Sequence, residues 1–251
     1  MTTPPSNFHA WQLGFVDAHR IHSVLDVGCG KGRMVQALRT HTAPGSVLLA
    51  LDIHEQTIRN TRQRTHVACV RATAEDLPVA SGQFELVTAG HVLPLVTNVS
   101  KAAGEFRRVL APNGTLLASV NSETSGERML AWHIEACERA GRSAQAAQAI
   151  GSSGTRRFSL ENGARILSRA FKTVDVRTHE TALVFRTVDT LLKLYVGGLH
   201  MRGTSTSNAD SDFSCLAGEL SPHMRAVVAA AAEPDGRIIV PRRSGCLIAH
   251  G

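Results

Sequence analysis

Short apolar runs alternate with amphipathic stretches over the first half of the chain. That alternation predicts strands separated by helices. Ser23-Val24-Leu25-Asp26-Val27 is the first apolar run and ends in Gly28-Cys29-Gly30-Lys31-Gly32; Met34, Val35 and Leu38 then recur at helical spacing. Residues 46–52 predict a second strand, 54–64 a polar helix, 67–70 a third strand and 84–89 a fourth. A helix over 99–110 is stopped by Pro112-Asn113-Gly114, and 115–120 predict a fifth strand. Strands separated by helices lie parallel and are joined by right-handed crossovers.

The second half is less regular. Residues 123–150 predict a helix with Met129, Leu130, His133, Ile134 and Cys137 on one face, broken by Gly151-Ser152-Ser153-Gly154. Ser159 can cap a helix running to about residue 170, with Glu161 favourably placed in its first turn. Val174 and Val176 alternate with polar residues, and with 182–185 they predict an antiparallel pair. Residues 188–199 predict a helix, 203–214 a polar loop, and 215–232 a helix with a break near Pro222. Residues 238–240 and 246–249, with Arg243-Ser244-Gly245 as the turn, predict a hairpin. No linker cuts the chain, which argues for a single domain.

The glycine run between the first strand and the first helix is the most informative segment. Glycines let the backbone turn tightly and approach a ligand, and a helix N-terminus offers free N–H groups. The spacing is G-x-G-x-G, unlike the G-x-G-x-x-G of dinucleotide sites. Alone it also fits a tight turn with no ligand. Asp52, 20 residues past Gly32 at the end of the second strand, changes that balance, because an acid there can accept from both hydroxyls of a ribose.

With these features in order, the chain resembles the class I S-adenosylmethionine-dependent methyltransferases. The likeness is greatest to the bacterial subgroup related to ubiquinone- and menaquinone-type methyltransferases. The matching segments are Val24 through Gly32, Leu51-Asp52-Ile53, Ala74-Glu75-Asp76-Leu77-Pro78, Phe84-Glu85-Leu86-Val87, and Phe106 through Gly114. They cover roughly residues 23–121. The resemblance implies an α/β, Rossmann-like, seven-stranded, mostly parallel sheet with helices on both faces and an α-helical cap. The expected organisation is one domain over 1–251, with 23–121 as the cofactor-binding core and 122–157 and 187–233 as cap or lid insertions.

The resemblance also implies a site for S-adenosylmethionine, with S-adenosylhomocysteine as its product. Gly28 and Gly30 would pass under the methionyl part and Asp26 would lie near its amino group. Asp52 would take the ribose hydroxyls, and Ile53 would pack on the adenine. Thr73, Ala74 and Glu75 would meet the adenine edge, and the Gly90 carbonyl the methionyl amine. Thr73 stands where an acid or amide is usual, which passes the adenine amino contact to backbone or to Asp76. Lys31 stands where a small residue is usual and is expected to point to solvent or at the cofactor carboxylate. After the fourth strand, Gly90-His91-Val92-Leu93-Pro94-Leu95-Val96 keeps the subgroup's histidine but replaces its Tyr-His pair by Pro94-Leu95, giving a less polar pocket face.

Methyl transfer from a sulfonium needs approximation, orientation and a water-poor pocket, and a base only if the nucleophile must lose a proton. His91, at the cleft mouth, is the candidate base; an orienting or capping role is the alternative. Trp11, Trp132, His133, Tyr195 and His200 lie in segments that would cover the cleft in this fold, where they, with His91, can form a substrate wall or simply pack cap helices. Arg156-Arg157 can clamp an acidic substrate or be a solvated pair. His19 and His22 are three apart but have no further ligand nearby, so no metal is expected.

Composition bears mainly on partners. The 251 residues carry 27 Lys+Arg against 21 Asp+Glu, a formal net charge of +6. The 23 Arg and 4 Lys are spread from residue 20 to 243, and at 4% aromatics there is little on which to stack bases. No Asn-Pro-Pro-Tyr run follows the fourth strand, which argues against methylation of adenine N6. The expected acceptor is therefore a small molecule, methylated on O, N or C in secondary metabolism. An RNA methyltransferase and a non-catalytic cofactor-binding module are the alternatives. No 18-residue apolar stretch, no basic-then-apolar leader and five scattered cysteines without C-x-x-C argue for a cytoplasmic monomer or homodimer with no membrane partner.

Overall fold

In the computed structural model the described residues are 7–143, 157–203 and 209–251, with 197–203 and 209–217 as backbone only. The chain divides into two compact units: Met1–Glu123 with Gly154–His179 and Arg243–Gly251, and Thr124–Ser153 with Glu180–Arg242. The second unit takes in 124–153 of the first expected insertion and all of the second, 187–233, with one end of each of two long strands.

The first unit opens with helix α1 (Phe8–Leu13), whose first turn is capped by the Asn7 side chain accepting from the N–H of His9 and Ala10. There follow β1 (Ser23–Val27), α2 (Arg33–His41), β2 (Val47–Asp52), α3 (Glu55–Thr65), β3 (Ala68–Arg71), β4 (Phe84–Gly90), α4 (Val99–Val109) and β5 (Leu110–Asn121). With β6 (Thr173–Phe185) and β7 (Ile238–His250) they form a seven-stranded sheet in the order β3-β2-β1-β4-β5-β7-β6. Strands β3 to β5 pair in parallel, and β7 runs antiparallel to β5, with Thr115 opposite His250. The expected parallel sheet is present, closed by an antiparallel strand.

Successive residues of a strand face opposite sides of a sheet, and the core divides accordingly. Val24, Leu86, Leu117 and Ile248 pack with Leu13, Met34 and Leu38 of α1 and α2. Leu25, Val27, Val87, Ala89, Leu116 and Ala118 pack on the other face with Phe106 and Val109 of α4 and with Leu167 of α6 (Gly163–Leu167). Ile58 of α3 joins Val35, Ala50 and Cys69. Each fully buried Leu or Phe contributes roughly 1.5–3 kcal/mol. This two-sided burial is why the strands read as continuous apolar runs.

The second unit contains α5 (Glu127–Arg139), α7 (Val188–Gly203) and α8 (Ala209–Ala230). Trp132, Ala136, Leu191, Tyr195, Met224, Val228 and Ile238 form its core.

Several expectations over the second half need correction. Residues 174–185 form no antiparallel pair; they belong to the single strand β6. The hairpin expected at 238–249 is likewise the single strand β7. Gly245 signals close approach here, not a turn. It is absent from the glycines with positive φ, and a Cβ on it would lie 2.4 Å from the Arg177 carbonyl oxygen and 2.5 Å from Leu160 Cδ1. The helix expected over 123–150 is α5, capped at Ala140, while 144–150 lie outside the described residues. Ser159 does organise a turn, its hydroxyl accepting from the N–H of Glu161 and Asn162, but the helix that follows ends at Leu167. Backbone at 209–214, expected to be loop, is helical, and α8 runs through Pro222 without a break; 204–208 lie outside the described residues.

Candidate functional site

The glycine run is a turn built from left-handed residues. Gly28, Gly30 and Gly32 have φ of 69°, 50° and 72°, a conformation that disfavours any side chain. Backbone bonds fix the turn: Cys29 N–H donates to Leu51 O at 2.9 Å and Gly32 N–H to Cys29 O at 2.8 Å. The Thr61 hydroxyl donates to Gly30 O at 2.7 Å. A Cβ on Gly28 would meet Val92 Cγ2 at 2.4 Å, so the turn packs directly on the loop after β4. A Cβ on Gly30 would meet only Gly28 O, at 3.9 Å, which leaves open space over that residue. Lys31 is exposed.

Asp52 ends β2 beside this turn. Its Oδ2 accepts from Gly30 N–H at 3.1 Å and its Oδ1 from His54 N–H at 3.0 Å. A carboxylate offers about four lone-pair sites, so two remain for a diol. Ile53 is 54% exposed, an apolar side chain left partly uncovered. Thr73 and Asp76 form an isolated bridge, and Ala74 is buried. Glu75 Oε1 accepts from the N–H of Thr97 and of Asn98, so this carboxylate braces the loop before α4.

Asp26 sits mid-sheet between Ala50 and Thr88 and is 3% exposed. Its Oδ1 accepts from the Thr88 hydroxyl at 2.7 Å, while Oδ2 is buried with no partner among the described residues. Burial, and then the charge of Asp52, push its carboxyl up to about 7 against the lowering effect of the Thr88 bond. A half-satisfied buried carboxyl is costly to keep, and it is the group that an ammonium ligand would complete. The Cys29 thiol is pushed up to about 12, by burial first and then by the charges of Asp26 and Asp52, and so is no nucleophile. These observations fit S-adenosylmethionine: an acid for its amino group, a diol acceptor, an exposed apolar face and an open glycine turn.

His91 follows Gly90 at the carboxyl edge of β4, where ligands of open α/β sheets bind. Its φ is 56°, a strained value for a residue with a side chain, and its N–H donates to Ser119 O at 3.0 Å. Its ring lies 6.3 Å from that of Phe8, which also stacks on Trp11 at 5.3 Å. Trp11 and Phe8 both pack on His179, at centroid distances of 4.7 Å and 5.2 Å. Of the expected wall residues, the structure thus joins Trp11 and His91, through Phe8. Reasoning from sequence missed Phe8 and His179. Phe8, Trp11 and Phe15 recur at helical spacing, a signal that could have found Phe8; His179, on a distant strand, has none.

Trp132, His133 and Tyr195 belong to the second unit. His133 Nδ1 lies 2.6 Å from the Tyr195 hydroxyl and His133 Nε2 3.6 Å from Cys137 Sγ, so this trio forms a polar strand through the helical core. The side chain of His200, and Arg156 entirely, lie outside the described residues. Arg157 donates to Val96 O at 3.3 Å. Among the described residues no helix is long and apolar enough to cross a membrane, and no three His, Cys, Asp or Glu are placed to hold a metal.

Residues 25–118 match the family described as a methyltransferase domain. A malonyl-[acyl-carrier protein] O-methyltransferase of Enterobacter lignolyticus is 32% identical over 117 residues, 46% of this chain and 45% of that protein. A 2-phytyl-1,4-naphtoquinone methyltransferase of Trichormus variabilis is 30% identical over 96 residues, 36% of this chain and 42% of that protein. The chain thus spans less than half the length of these curated relatives. In fold it is similar to the YcgJ protein of Bacillus subtilis, with a TM-score of 0.61, 17% identity, and coverage of 96% of this chain and 97% of that one.

Proposed function

We propose that the protein, whose residues 25–118 are a methyltransferase domain of the S-adenosylmethionine-dependent class, methylates a small molecule of secondary metabolism on O, N or C. The observation that carries this reading is the buried Asp26 carboxyl, unpaired at Oδ2, two residues before the left-handed glycine turn. Stability alone would replace that acid, and a cationic amine gives it a reason to be there.

When bound, S-adenosylmethionine supplies a methyl group on a positively charged sulfur. Asp26 would hold the amino group, with the Gly90 carbonyl beside it. Asp52 would take both ribose hydroxyls, and Ile53, with the backbone of Thr73, Ala74 and Glu75, the adenine. The turn at Gly28 and Gly30 lets the backbone come close without a side chain in the way. His91 would take at its imidazole the proton that an acceptor hydroxyl or amine loses as the new bond to carbon forms. Val92, whose Cγ2 packs beside Gly28, puts an apolar side chain at the turn, which supports an acceptor site poor in water.

The test is transfer of radiolabelled methyl from S-adenosylmethionine to a panel of hydroxylated and amino small molecules, with total RNA offered in parallel. Label should enter a small molecule, and His91→Ala should lower kcat by roughly 10²–10⁴-fold. Labelling of RNA alone at physiological salt would instead favour an RNA methyltransferase.

A further inference from the structure

The sheet ends at β6. In the order β3-β2-β1-β4-β5-β7-β6 that strand has a neighbour on one side only, and among the described residues no strand pairs with its outer edge. A long edge strand presents a row of N–H and C=O groups that favours pairing with another strand. Proteins commonly blunt such edges with Pro, with a bulge or by keeping them short, yet β6 runs for 13 residues without Pro or Gly. Its portion up to His179 belongs to the first unit. Val174 and Val176 are half-buried and pack on the main core of that unit, while Asp175 and Arg177, which alternation places on the opposite face, are exposed. Neither Asp175 nor Arg177 takes part in an ion pair or a side-chain hydrogen bond among the described residues. Lys172, just before the strand, and Glu180, within it, are exposed as well. The charges at Lys172, Asp175, Arg177 and Glu180 thus alternate in sign, and they are symmetric in position about Val176 with the signs exchanged.

We propose that β6 is a homodimer interface, at which a second copy of this chain adds its own β6 antiparallel to the first about a two-fold axis at Val176. Two identical antiparallel strands share a sheet only about an axis perpendicular to it, which keeps each residue on its own face. One residue then lies opposite itself, and the others pair at equal distances on either side of it. Centred on Val176, Asp175 of each copy lies opposite Arg177 of the other, and Lys172 opposite Glu180. Centring on Lys172, Asp175, Arg177 or Glu180 sets a charge against its own copy. The remaining centres between 172 and 180 bring no opposite charges face to face. Opposite charges directly across a ladder stabilise it and like charges destabilise it, so the sequence selects the one register. The two Val176 side chains meet at the axis, where each covers apolar surface that its own sheet leaves half-open. The main-chain groups of the outer edge find partners in the same step, and one sheet continues across both copies.

The experiment is sedimentation equilibrium of the full chain over a concentration series at low salt. Wild type should form a dimer. Asp175→Arg and Arg177→Asp each set like charges opposite one another at two symmetric positions, and each should weaken the dimer by about tenfold or more. The double variant Asp175→Arg/Arg177→Asp exchanges the signs and should return to wild-type affinity. Val176→Cys reads the axis with no change of charge. Residues opposite across an antiparallel ladder have Cα atoms about 4.5–5.5 Å apart, so mild oxidation should link the two copies of this variant. Thr178→Cys, about 13 Å from its counterpart in this register, should stay unlinked, and wild type oxidised alike controls for the native cysteines. A wild type that stays monomeric would overturn the proposal. So would single charge variants that dimerise as wild type does, or a double variant as weak as either single. Linkage through Thr178→Cys in place of Val176→Cys would overturn it too, whether or not the charge variants fold.

Discussion

Asp26 is the residue whose chemistry departs furthest from what folding alone requires. Its carboxyl is raised from the ordinary range to about 7, by burial first and by the charge of Asp52 after it. A folded-state pKa above the unfolded one means that the native chain holds the proton more firmly. Its contribution to stability is thus complete below about pH 4 and is lost as pH rises toward 7. Asp26→Asn removes the titration and can keep the Thr88 bond. Thermal unfolding from pH 5 to 8 should show the ligand-free variant gaining on wild type as pH rises, by on the order of 2–4 kcal/mol at pH 8. The same variant should bind S-adenosylhomocysteine less well. A pH-independent gap between the two proteins would mean that Asp26 is not held protonated by its surroundings.

At the scale of elements, Gly245 tests how the two long strands are held. It lies in extended backbone of β7, and a Cβ there would fall 2.4 Å from Arg177 O of β6. Gly245→Ala should cost about 1–3 kcal/mol through overpacking, read as a lower urea midpoint with an unchanged slope. Gly45, with φ 79° and nothing within 4 Å, is the control, and Gly45→Ala should cost only the roughly 1–2 kcal/mol left-handed penalty, without steric overlap. Equal loss with a lowered slope in both would point to a broken fold, not to local crowding.

The same position explains what was legible in the sequence. The parallel half was readable because β1, β4 and β5 are buried on both faces and each helix on one, so pattern and structure coincide locally. The Gly28 turn and Asp52 were readable for the same reason, since strand ends mark where the cleft lies. Arg243-Ser244-Gly245 has the composition of a turn, but what selects the glycine is a carbonyl on a neighbouring strand, which local pattern does not carry. Phe8 and His179 meet across most of the chain, and a lone histidine among polar strand residues gives no sign of the rings that enclose it. The stop of α5 at Ala140 is not legible because its apolar face runs on into an Ala-rich sequence.

For the whole molecule, the net charge is +6, and among the described residues some arginines pair locally. Arg59 with Glu55, Arg108 with Glu105, and Arg139 with Glu135 are neighbours along single helices. Such pairs contribute little stability. The chain folds as two units with separate cores, and every residue assigned to the cofactor falls in the first, where the Gly30 N–H donates to the Asp52 carboxylate and the Thr88 hydroxyl to that of Asp26. The central claim is therefore about that unit, and calorimetry of S-adenosylhomocysteine with wild type and Asp52→Ala tests it most directly. Binding to wild type, weakened by about 1–3 kcal/mol in the variant through loss of two charge-assisted hydrogen bonds, is the predicted result. Equal affinity in the two proteins, or no binding to wild type, would contradict it.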